Sequence, residues 1–168
     1  MNIAMIDIET LDTEPSAVIL SIGVVELDGD QINASRSIYM ELDITKQSGR
    51  TISADTLKWW SQQKTAMPIY GSIRLEDALS KLWLMYRGNQ FWSNGSFDFD
   101  ILNHACKQVG ALTPWTFRDC FDYRTAKNLF PQIKADDTND TAHHAFEDAK
   151  YQMNHLVKIF KGARNATI

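Results

Sequence analysis

The chain has 168 residues, 44% of them hydrophobic and 11% aromatic, and its 17 Lys and Arg against 21 Asp and Glu leave a formal charge of −4. A chain this long hides roughly 70% of its unfolded surface without disulfide or zinc staples, so the composition describes a single globular domain over residues 1–168. Cys106 and Cys120 make no disulfide framework, the longest apolar stretch (Ala17 to Val25) has nine residues and includes Ser21, and the start has no basic leader, which together exclude a membrane span and point to a cytoplasmic location.

Ile3 to Glu9 and Ala17 to Leu27 are apolar and β-branched enough to be strands, the second nearly continuous and so central in a sheet. Asp28-Gly29-Asp30 reads as a hairpin turn into a third strand around Arg36 to Leu42. The period then changes to about 3.6: Ser53 is an N-cap for a helix through Leu57, Trp59 and Trp60, and Leu75, Ala78, Leu79, Leu82, Trp83 and Tyr86 form a helical stripe ended at Gly88. A short strand at Gln90 to Trp92, a helix from Asp98 to Val109 and a strand at Phe117 to Phe121 follow. The last elements are a short helix from Tyr123 to Leu129, a polar loop from Lys134 to Thr141 and a final helix from about His144 to Phe160. A meander followed by alternating helices and strands predicts an α/β fold, with a mixed sheet covered by helices.

Asp7 and Glu9 stand two apart on a strand and share one face of the sheet, where two acids repel and lose hydration unless a cation lies between them. Asp98 falls at the start of a helix, where an acid also simply complements the helix dipole. Asp148 lies on the last helix. His144 is four residues before it and shares its face, whereas His143 can fold back from the loop if the helix starts near Ala145, and spacing leaves both open. Carboxylates select hard cations, while His104, Cys106 and Cys120 lack paired zinc-ligand spacing. Neither a Gly-rich phosphate loop nor a G-x-S-x-G elbow occurs.

Together, Asp7-Ile8-Glu9-Thr10, Phe97-Asp98 with Ile101-Leu102, and His143-His144-Ala145-Phe146-Glu147-Asp148 resemble the three motifs of the DEDDh 3′→5′ exonucleases. Asp55-Thr56-Leu57-Lys58-Trp59-Trp60 and Asn94-Gly95-Ser96 are similar to the compact branch that contains phage exodeoxyribonuclease A and RNase AS. The resemblance implies a ribonuclease-H-like mixed five-stranded sheet, three antiparallel strands first and parallel additions after. It also implies hydrolysis at the 3′ end of single-stranded DNA or RNA to nucleoside 5′-monophosphates, with two Mg²⁺ or Mn²⁺ ions on Asp7, Glu9, Asp98 and Asp148. The family's register selects His143 as general base. It puts Thr10 and Leu11 against the terminal nucleotide. Trp59 or Trp60, which point about 100° apart on a helix so that at most one faces the substrate, would extend that platform. Arg124, in Asp122-Tyr123-Arg124-Thr125, is a candidate phosphate contact, with an ordinary surface arginine as the alternative. Relatives imply a possible homodimer. The competing expectations are a catalytically silent binding module on the same fold and a phosphodiesterase for small nucleotides.

Overall fold

The computed structural model describes residues 2–136 and 142–165, so the loop expected over Lys134 to Thr141 lies outside the described residues from 137 onward. In chain order the elements are β1 (Ile3–Thr10), β2 (Ile19–Asp28), β3 (Gln31–Ile32), β4 (Ile38–Glu41), α1 (Ala54–Trp60), α2 (Leu75–Tyr86), β5 (Gln90–Ser93), α3 (Phe97–Val109), β6 (Cys120–Asp122), α4 (Tyr123–Leu129) and α5 (Ala145–Asn165). Among the described residues the strands form one mixed sheet, with β2 antiparallel to β1, β3 and β4, and with β5 parallel to β1 and β6.

The period of two along β1 divides the core. Ala4, Ile6 and Ile8 face Leu79, Leu82, Ile101 and Leu102 of α2 and α3, whereas Met5 faces Ala149, Met153 and Leu156 of α5. Each such fully buried aliphatic side chain contributes about 1.5–3 kcal/mol over its exposed state. Asp7 and Glu9 continue the row begun by Met5 and therefore point toward α5. Gly23, paired across the ladder with Asp7, lets that helix approach: a Cβ there would stand 2.4 Å from backbone atoms of Ala145 and Phe146. Glycine inside a strand marks such a close approach.

The third strand differs from the expectation. It is broken by a 3-10 turn at Ala34–Arg36, so six strand segments fill five positions, with β3 and β4 successively edging β2. At this break stands Glu26, an acid that is fully buried. The turn carries the Arg36 guanidinium onto its carboxylate, with Nε donating to Oε1 and Oε2 at 2.7 and 2.9 Å, and Asn89 donates to the same group. An unpaired charge there would be costly, and the pairing outweighs strand continuity. β6 is also shorter and later than Phe117 to Phe121, because Asp119 turns back on Thr116 before the strand starts. The last helix begins at Ala145, one residue after the expected start. Among the described residues no helix is long and apolar enough to cross a membrane.

Candidate active site

Three elements converge where β1 leaves the sheet. β5 accompanies β1 only along Ile3 to Met5, so further on β1 is open on that side. There Asp98, in the first turn of α3, accepts the Ile8 N–H at 3.0 Å through Oδ1. The turn that delivers it needs Gly95, whose φ of +104° suits glycine and against which the Arg124 guanidinium packs while Nη2 donates to the Asn94 carbonyl at 2.9 Å. From the other side α5 brings Asp148, and one turn later Gln152, whose Nε2 donates to Asp7 Oδ1 at 2.9 Å.

The loop before α5 closes the cluster. His143 turns through φ +69°, and its N–H donates to Asp148 Oδ2 at 2.8 Å. Its ring meets Trp59 edge-on at 4.6 Å. Glu9, His143 and Asp148 each offer a ligand atom, all within 4.8 Å of one another. His144 turns the opposite way and stacks on Tyr39, with ring centroids 4.3 Å apart. The geometry thus brings His143, and not His144, to the carboxylates.

Crowding buried acids has an electrostatic cost that is visible group by group. Burial, then the charges of Asp98, Glu9 and Asp148, push Asp7 well above the usual carboxylate range, against the pull of the Gln152 amide. Burial first, then Asp148 and Asp98, push Glu9 up to about 8. Burial pushes Asp98 up to about 7 although the Ile8 amide and Arg124 oppose it. An all-oxygen donor set with this much repulsion suits a hard divalent cation. Two buried oxygens that find no hydrogen-bond donor among the described residues, Asn94 Oδ1 and Gln152 Oε1, belong to residues that line the same cleft.

That cleft holds about 430 Å³ and is walled by the four acids' neighbourhood together with Arg124 and Lys127. A second cavity of about 460 Å³ adjoins it through Ile8, Glu9 and Phe97 and is lined by Thr10, Asp12, Asp55 and Trp59. Trp59 is 39% exposed there, whereas Trp60 is 4% exposed and donates its indole N–H to the Thr10 carbonyl at 2.9 Å. Leu11 is also buried and packs with Val18, Leu20 and Trp60. Leu11 and Trp60 both fill the cluster beneath the exit of β1 and neither lines either cavity, so of the two tryptophans it is Trp59 that faces a cavity.

A family model described as the 3′-5′ exoribonuclease Rv2179c-like domain matches residues 2–160. The chain belongs to the Rv2179c-like family. No curated protein sequence matches it. Among solved structures, Escherichia coli exonuclease I is similar in fold. The zinc-bound complex with single-stranded DNA superposes with a TM-score of 0.75 at 11% identity, covering 98% of this chain and 41% of that one. The complex with a dT13 oligonucleotide gives 0.73 at 11% identity, covering 99% and 42%. The chain thus spans about two fifths of the length of those exonuclease I chains.

Three features of this Rv2179c-like site escaped sequence reasoning. Gln152 was findable, since it stands four residues after Asp148 on the same helical face. Gly23 was findable as the one glycine inside an apolar strand run. The stacking of His144 on Tyr39 had no sequence signal, because it joins elements separated by more than one hundred residues.

Proposed function

We propose that residues 1–168 form one metal-dependent 3′→5′ exonuclease domain that removes nucleoside 5′-monophosphates from single-stranded DNA or RNA. The convergence of Asp7, Glu9, Asp98 and Asp148 with the His143 ring carries this reading. The family's description favours RNA, and the exonuclease I complexes carry DNA oligonucleotides.

The four carboxylates would hold two divalent cations, Mg²⁺ or Mn²⁺, which supply charge neutralisation and a more acidic water during in-line displacement. Gln152 orients Asp7, and the Ile8 amide orients Asp98. The imidazole of His143, positioned by the backbone N–H that this residue donates to Asp148 and by the T-shaped contact of its ring with Trp59, takes the proton of the attacking water. Thr10 and Trp59 receive the terminal nucleoside in the second cavity, the indole offering a stacking face. Arg124 meets the phosphate from across the cleft.

Matched 5′-labelled DNA and RNA oligonucleotides incubated with Mg²⁺ or Mn²⁺ test the proposal. The expected outcome is a one-nucleotide ladder that disappears with EDTA and falls to background in Asp7→Asn. No metal-dependent cleavage of either strand, or an undiminished ladder in Asp7→Asn, would overturn it.

A further inference from the structure

The two arms of the trough carry opposite charge. The arm past Thr10 contains Asp12 and Asp55 and, among the described residues of its lining, no Lys or Arg. The arm past Asp7 contains Arg124 and Lys127 and opens into a third cavity of about 330 Å³ that shares Tyr123, Lys127 and Tyr151 with it and adds Lys134, with no acid among the described residues of its lining. Among the described residues none of Arg124, Lys127 and Lys134 is ion-paired with a carboxylate, in a chain whose formal charge is −4.

The floor of the third cavity is fixed. His155, 3% exposed on α5, meets the Ile133 carbonyl through Nε2 at 2.9 Å and the Tyr123 hydroxyl through Nδ1 at 2.7 Å. A carbonyl only accepts, so Nε2 carries the proton and the tyrosine donates to Nδ1. This chain of bonds ties the segment bearing Lys134 to the helix bearing Lys127. Lys127 follows Arg124 by three residues and so lies on the same face of α4. Its ammonium stands 5.7 Å from the centre of the Tyr123 ring.

We propose that Lys127 and Lys134 form a phosphate-binding subsite for the upstream part of the strand, the nucleotides 5′ of the one being removed. This deepens the exonuclease reading and rests on it. A strand end has no phosphate beyond its terminal nucleoside, so it fits the acidic arm, and every remaining phosphate lies on the 5′ side, where the cations are. Tyr151, on the shared wall, offers an upstream base an aromatic face. The subsite rewards length: Lys127 stands where the cleft of the carboxylates meets the third cavity, and Lys134 lines the third cavity and not that cleft, so the pair is engaged fully by a strand long enough to enter it.

The test compares a dinucleotide with a longer oligonucleotide in wild type, in Lys127→Ala/Lys134→Ala and in the control Lys81→Ala on α2. KM is measured with metal, and equilibrium binding by fluorescence anisotropy in EDTA. The wild type should favour the longer strand, and the double variant should lower that length preference about tenfold and flatten the log affinity against log salt slope by about 1.4, roughly 0.7 for each cation removed. Lys81→Ala should move neither. A double variant with the length preference and salt slope of the wild type would overturn the subsite. Binding that keeps its length and lysine dependence in a protein that hydrolyses nothing would sink the exonuclease reading and leave the subsite standing.

Discussion

His143 holds a left-handed backbone conformation that costs a non-glycine residue about 1–3 kcal/mol, and its neighbours compensate by fixing it on Asp148 and Trp59. The adjacent His144 is spent on Tyr39. Replacing each by alanine separates the roles: His143→Ala should lower kcat by about 10²–10⁴-fold, as for a lost general base, with His144→Ala well short of that. The reverse order in a steady-state assay would transfer the role to His144. Sequence spacing left the two histidines open, because the i and i+4 relation of His144 to Asp148 holds on one helical face only if both residues are helical, and α5 starts one residue too late for that. The carboxylates were more legible, since a strand's period of two and the start of a helix fix Asp7, Glu9 and Asp98 locally. Which tryptophan is buried was not, because the burial of Trp60, like that of Leu11, depends on a cluster gathered from the exit of β1, from β2 with the residue before it, and from α1.

Contact between α5 and the sheet assembles the site, and Gly23 sets its closeness. Gly23→Ala should therefore cost about 1–3 kcal/mol by overpacking, read in denaturant unfolding, and should weaken divalent-ion binding by displacing Asp148 from Asp7. Unchanged stability with unchanged ion affinity would show that α5 yields without consequence. Element order and type were readable from periodicity, including the N-cap at Ser53, whose side chain accepts the Thr56 N–H. The broken third strand was not readable, because the ion pair of Glu26 and Arg36 that breaks it is tertiary.

Across the whole molecule the acids of the site weigh on stability. Glu9 rises from 4.5 to about 8 and Asp98 from 3.8 to about 7, so between those values the folded chain keeps protons that the unfolded chain has released. Stability contributed by these groups is present at low pH and is lost as pH rises through the folded values. The melting temperature of EDTA-treated protein should accordingly fall between about pH 5 and about pH 8, and Mg²⁺ or Mn²⁺ should raise it most at the upper end, because the ions displace those protons. A metal-free protein that grows more stable over that range would contradict the direction of both shifts. The formal charge of −4 counts all four site carboxylates as ionised, a state that bound divalent cations favour and that the metal-free chain resists.

The docking of α5 also bears on biosynthesis. Asp7, Glu9 and Asp98 leave the ribosome well before His143 and Asp148, and the face of the sheet that receives α5 stays uncovered until that helix is made. On the exonuclease reading, a nascent chain holds three of the four carboxylates but no working centre. Messages and other strands around the ribosome are thus beyond its reach until the final helix has been released and has settled against Gly23.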